Sequence, residues 1–140
     1  MKRKIKTIKD YKKEAWKWFS VYIRLKYSQE DGWVQCVTCK KWFHWRRIQA
    51  GHFVGGRKNN VLLNEKVVRP QCFHCNVGLK GNYLEFRKHY VAQGLTDDEI
   101  DLLQNLKNCI LKRTENDWIF LTAHFHKLAR KEAEKRGIKL

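Results

Sequence analysis

The sequence has one proline, Pro70, and no low-complexity run. With 43% apolar and 13% aromatic residues there is enough to fill a core, so persistent disorder is not the reading. No apolar stretch approaches the roughly 18 residues of a membrane helix. The basic start, Met1-Lys2-Arg3-Lys4, lacks the apolar segment of a secretory leader, because Lys6, Lys9, Lys12 and Lys13 interrupt it. A cytoplasmic protein is expected. Acid is scarce as well: 14 Asp/Glu face 30 Lys/Arg, a net charge of +16. Such an excess in so short a chain calls for a polyanion, and binding by counterion release should be strongly salt-dependent. A membrane surface suits it less well, since no segment is both strongly basic and amphipathic without also carrying core aromatics.

What is present reads as one domain of 140 residues with three regions. Residues 9–28 space Tyr11, Ala15, Trp18, Phe19, Tyr22 and Ile23 as the apolar face of a helix, ended by Gln29-Glu30-Asp31-Gly32. Residues 33–75 suggest short strands and turns, with Gly55-Gly56 and Asn59-Asn60 marking a loop and Val67-Val68-Arg69 a strand closed by Pro70. From Asn76 onward helices are predicted. The first carries Leu79, Tyr83, Phe86 and Tyr90 and stops at Gly94. The second opens on the capping box Thr96 to Glu99 and carries Ile100, Leu103, Leu106 and Ile110. The last runs from near Thr114 to Gly137.

Five cysteines are present, four of them in Cys36-x-x-Cys39 and Cys72-x-x-Cys75. In a reducing compartment such pairs are metal ligands before they are disulfides. Four thiolates close a tetrahedral Zn²⁺ site with no open position, so this metal is structural. Cys109, among Leu106, Ile110 and Leu111, is expected to be a small buried apolar residue. Between the knuckles lies Gln49-Ala50-Gly51-His52-Phe53, at the end of a predicted strand. Asn76 follows the second knuckle at a predicted helix start. A zinc clamp would bring these together, and they suit a one-metal nuclease site. The histidine deprotonates water, and a hard cation, Mg²⁺ or Mn²⁺, stabilises the transition state. Arg57 is placed either on the scissile phosphate or simply at the surface.

Several blocks resemble the phage NinG/Rap recombination proteins: Phe19-Ser20-x-Tyr22-Ile23-Arg24, Cys36-Val37-Thr38-Cys39, Ala50-Gly51-His52-Phe53, Arg57, Asn64-Glu65, Gln71-Cys72-x-x-Cys75-Asn76 and Gly81-Asn82. The order of the marks is also similar to endonuclease VII-type resolvases of the HNH superfamily. The resemblance implies an α+β fold: a small zinc-stabilised ββα-metal (HNH, His-Me finger) core over 33–93, flanked by an N-terminal helix (9–28) and C-terminal helices (96–137). It implies His52 as general base, Asn76 as a ligand of the catalytic metal, and branched or Holliday-junction DNA as substrate, in a phage or prophage protein. Gln49 and Asn82 are further expected ligands of that metal. Arg46, Arg47, Lys58, Arg69, Lys80 and Arg87 are expected to contact DNA. Paired cuts across a junction of near-two-fold symmetry require two active sites, so a homodimer is expected.

Two positions depart from the HNH pattern. Gly51 stands where many such enzymes carry an acidic metal ligand, and Gln49 is a neutral replacement. Val67 stands where an Asn orients the histidine, a role left to Asn64 or Glu65. Two alternatives therefore accompany the resolvase reading: a non-catalytic zinc-module DNA-binding or recombination accessory protein, and an HNH endonuclease that cuts duplex DNA.

Overall fold

The computed structural model describes residues 2–140. It is a small α+β structure with the elements α1 (Ile8–Lys26), β1 (Trp33–Gln35), β2 (Trp42–His44), β3 (Gln49–His52), α2 (Asn59–Leu62), β4 (Val68–Gln71), α3 (Tyr83–Ala92), α4 (Asp97–Asn105) and α5 (Glu115–Lys135). Among the described residues no helix is long and apolar enough to cross a membrane.

Local sequence sets the helix starts. Thr7, Thr96 and Thr114 cap α1, α4 and α5, and in each the acid three residues on, Asp10, Glu99 or Asp117, returns a bond to the cap's backbone N–H. Each box satisfies two N–H groups that the helix leaves orphaned. The boxes also hold Asp10 and Asp117 below the usual carboxylate range, chiefly through backbone hydrogen bonds from Thr7 and Thr114.

The strands form two separate antiparallel hairpins, β1–β2 and β3–β4. In the second, Gln49 lies opposite Gln71, Gly51 opposite Arg69 and His52 opposite Val68. The Val37 N–H donates to the Pro70 carbonyl and joins the hairpins at their cysteine ends. Pro70 sits within β4 itself, where its missing N–H costs nothing on a short edge.

α1 and α5 pack lengthwise and run parallel. Lys12 reaches over the Trp118 ring, Phe19 meets Phe125 edge-on at 4.8 Å, and Arg136 beyond α5 donates to the carbonyls of Lys26, the last residue of α1, and of Ser28 just after it. Their shared apolar face joins α3, α4 and the loops of the second hairpin in the main core, around Phe19, Ile23, Val54, Val67, Phe86, Ile100 and Trp118. A second core gathers Leu25, Val34, Trp45, Ile48 and Ala133 round Cys36, Cys72 and Cys75.

Four expectations are corrected. Asn59-Asn60 does not stay a loop but begins α2. It is anchored by Asn59 to the Leu111 carbonyl and by Asn60 to that of Leu106. The helix after the second knuckle does not run on from Asn76. A five-residue π-helical turn, His74–Gly78, comes first, and Lys80, Gly81 and Asn82 take left-handed φ values of 51°, 94° and 46° before α3 begins. Leu79 and Tyr83 consequently fall outside the core, while Phe86 and Tyr90 stay in it. The helix at Asp97 ends at Asn105 and tightens into a short 3₁₀ turn, leaving Ile110 90% exposed. Cys109, past that break, is exposed and not buried.

Gly51 is a position of close approach. Its Cα faces the fully buried Gln71, and an added Cβ would lie 2.8 Å from Gln71 Cβ and strike its carboxamide. Gln71 cannot yield easily, because its Nε2 donates to Thr38 Oγ1 at 3.1 Å and to the Gly81 carbonyl at 2.8 Å. Gly51→Ala is expected to destabilise the protein by about 1–3 kcal/mol through overpacking, read as a lower denaturation midpoint. An unchanged midpoint would show that the Gln71 network is soft. The same contact gives a physical reason for the missing acid: an aspartate at this position would have to displace Gln71.

Candidate functional site

The knuckles come together through the hairpins. Cys36 and Cys39 lie in the turn between β1 and β2; Cys72 directly follows β4, and Cys75 lies within the π-helical turn. The four Sγ atoms all lie within 4.8 Å of one another. A tetrahedral Zn²⁺ with Zn–S bonds of about 2.3 Å separates its sulfurs by about 3.8 Å, and Cys39 and Cys72 Sγ are 3.8 Å apart. The surroundings favour a thiolate at Cys36. Burial pushes the Cys36 thiol up. The Thr38 hydroxyl, 3.4 Å from its sulfur, and backbone N–H groups including that of Cys72 outweigh this and bring it down to about 6. Cys72 is pushed up to about 12 by burial and by the neighbouring sulfurs. A cation at the centre would offset that repulsion. The set fits a structural zinc ion.

His52, at the end of β3, is the other focus. Its ring stacks on Trp16 of α1, centroids 5.0 Å apart, and its Nε2 is 3.1 Å from the Leu62 carbonyl. A carbonyl only accepts, so Nε2 carries the proton and the neutral ring keeps its lone pair on Nδ1. Burial lowers the imidazole to about 4; the Leu62 bond opposes this and the charge of Arg57 adds to it. Arg57 lies 4.6 Å over the same Trp16 ring, with a left-handed φ of 49°. Trp16 also lines a cavity of about 580 Å³ with Lys4, Lys6, Asp10, Lys13, Glu14 and Lys17, mostly cationic. The expected orienting residues do not reach His52. Asn64 bonds the Asn60 carbonyl and the Lys66 N–H, Glu65 pairs with Lys26, and Val67 is buried in the core. The orienting group is the Leu62 carbonyl, which any residue type supplies and which a sequence therefore hides. Trp16 left more of a trace: it falls one helical turn from Phe19, on the side of α1 that faces the core.

Gln49 and Asn76 are brought together. The Asn76 amide donates to Gln49 Oε1 at 2.9 Å, and Asn76 Oδ1 has no donor among the described residues. Asn82 goes elsewhere, turning its amide to Cys75 Sγ at 3.7 Å. The arginines divide in the same way. Arg69 is tied to the Glu65 and Val68 carbonyls between the rings of Tyr27 and Tyr90, Arg87 pairs with Asp97, and Arg46 lies over Trp45 and bonds the Lys139 carbonyl. Arg47, Lys58 and Lys80 are exposed. Residues 32–84, which hold both knuckles and His52, contain nine Lys/Arg and a single carboxylate, Glu65, itself paired with Lys26.

The class defined by fold and site is a small, basic α+β protein built round a four-cysteine centre that can hold a metal ion. Residues 1–135 match the family described as bacteriophage lambda NinG protein, and the chain belongs to that family. No curated protein and no solved structure matches it.

Proposed function

We propose that this NinG-family protein is a metal-dependent DNA endonuclease of the HNH kind, acting on branched recombination intermediates. The observation that carries the reading is the histidine: half-buried, stacked on Trp16, held through Nε2, with an unprotonated Nδ1. That is the state a general base needs before it meets water. The order of a hairpin whose first strand ends in His52, a cysteine-held turn and then a helix supports a ββα-metal reading of residues 33–93.

Gln49 and Asn76 would hold Mg²⁺ or Mn²⁺, which when bound stabilises charge on the phosphoryl and leaving oxygens. Both are neutral amides, and no carboxylate accompanies them. Such cations are commonly held by a carboxylate or two together with substrate phosphates. Here the phosphate must supply a larger share of the ligands, so cation and DNA should bind together. His52 would take the proton of the attacking water at Nδ1. Arg57, its carbon chain anchored over Trp16, would present its guanidinium to the phosphate.

The test is cleavage of labelled four-way junctions, flaps and duplex by the zinc-loaded protein in Mg²⁺ and in Mn²⁺. Absence of cutting on all three would sink the reading. It would leave the second one, a zinc-module recombination accessory protein that binds DNA without cutting it, which the absence of an acid at Gly51 favours. Cutting of duplex alone would instead indicate an HNH enzyme with a linear substrate. Under any of these, DNA affinity is expected to fall at least ~10³-fold between about 50 and 200 mM salt, as it does for proteins with six or more phosphate contacts. A flat salt dependence would remove the electrostatic basis shared by all three.

A further inference from the structure

The β1–β2 hairpin carries large apolar surface where a protein ordinarily avoids it. Side chains alternate along its strands: Val34 points inward to the core around the cysteines, while Trp33, Gln35, Trp42 and His44 share the outer face. Trp33 and Trp42 are 45% and 49% exposed. Because Trp33 lies opposite His44 and Trp42 opposite Gln35, the tryptophans are diagonal neighbours, about 7–8 Å apart. The His44 ring stands perpendicular to Trp33, at 86° and 6.1 Å, beside the half-exposed indole. Neither tryptophan serves the core, the cysteine centre or His52.

Charge narrows the choice of partner. Exposed Lys40 and Lys41 sit at the turn end beside Trp42, and exposed Arg46 and Arg47 follow His44. From Gly32 to Asn64 the chain holds no Asp or Glu. Flat aromatic faces bordered by cations suit nucleobases on a phosphate backbone. They suit unpaired bases in particular, since a paired base already has both faces stacked. The turn of this hairpin is the first cysteine knuckle, so a metal at the centre would fix the platform relative to the rest of the site.

We propose that the Trp33–Trp42 face is a stacking platform for unpaired bases of DNA. This rests on the reading of the protein as one that acts on DNA, and it specifies what in a branched substrate is recognised: exposed single strand beside the branch.

The experiment measures binding of the full-length, zinc-loaded protein to a short oligo-dT strand and to a duplex of the same length. It compares the wild type with the double variants Trp33→Ala/Trp42→Ala and Trp33→Phe/Trp42→Phe. Oligo-dT is expected to quench wild-type tryptophan fluorescence. The double alanine variant should lose about tenfold in oligo-dT affinity for each ring, on the order of 100-fold together. Duplex affinity should change by less than about threefold, and the double phenylalanine variant should recover most of the loss. Equal losses on strand and duplex, unchanged oligo-dT binding, or no quenching of a wild type that does bind would each overturn the platform alone. A change from dimer to monomer in the alanine variant would overturn it in favour of a second copy of the chain. A wild type that binds neither strand nor duplex at low salt would instead bring down the DNA reading and the platform with it.

Discussion

His52→Ala is expected to lower junction cleavage by about 10²–10⁴-fold, the usual contribution of a general base, while leaving junction affinity and zinc content unchanged. The neighbouring geometry makes the prediction more specific than a loss of activity. The imidazole is lowered to about 4 by burial, with the Leu62 carbonyl opposing and Arg57 adding to the shift. In the proposed role as general base the active form is the neutral one, so cleavage should not show the limb near pH 6.5 of an ordinary histidine. It should stay level from pH 8 to about 5 and fall only as pH drops through about 4. Stability follows the same group with a different window. Between the unfolded value of 6.5 and the folded value of about 4 the unfolded chain binds a proton that the native one does not. Stability is therefore full above 6.5 and is lost as pH falls toward 4. His89, lowered to about 4 by burial and by Arg69 and Lys40, acts in the same direction. A cleavage limb near 6.5, or an alanine variant that still cuts at the wild-type rate, would remove His52 from the chemistry.

The sequence made some of this legible and hid the rest for identifiable reasons. The Cys-x-x-Cys spacings pointed to one cluster because thiolates have few other uses in that pattern, and the four sulfurs do meet. The threonine-to-acid pair at Thr96 marked a helix start because its chemistry is local. Boundaries set by tertiary contacts were less visible. Nothing near Asn76 announces the π-helical turn or the three left-handed residues at Lys80, Gly81 and Asn82. Those follow from placing Cys75 on the centre while the Gly81 carbonyl receives Gln71. Ile110 and Cys109 continued a helical period by coincidence, because spacing alone does not reveal where packing ends. The partner of His52 is a main-chain carbonyl, so no residue type could have signalled it.

Loss of the metal is expected to have the largest effect on stability. Structural zinc in small modules contributes about 10–16 kcal/mol of apparent binding free energy at neutral pH, comparable to or above the roughly 5–15 kcal/mol that holds a whole domain together. Here the metal would join two hairpins whose strands are three or four residues long and form no common sheet. Without it, Cys36, Cys72 and Cys75 would be a thiol cluster inside a core shared with Leu25, Val34, Trp45 and Ile48. Treatment with a strong chelator, or Cys72→Ser, should abolish cooperative unfolding of the second core and shift Trp45 emission to the red. Cys109→Ser, at an exposed cysteine, should do neither. Metal analysis should return one zinc per chain. A chelated protein with the same melting temperature and the same emission would show that the clustered sulfurs are not a folding metal site.

The parallel pairing of α1 with α5 has a consequence for the chain as it is made. Phe19 and Ile23 on α1 are buried against a helix whose first residue, Glu115, lies beyond the whole of residues 27–114. At bacterial-to-eukaryotic elongation rates of 5–20 residues per second, that interval takes roughly 4–18 s. During that time the apolar stripe of α1 leaves the ribosome without its final cover. The nascent chain is therefore a natural client for a holding chaperone, and a ribosome stalled just before Glu115 should display a sticky, protease-sensitive N-terminal helix until synthesis resumes.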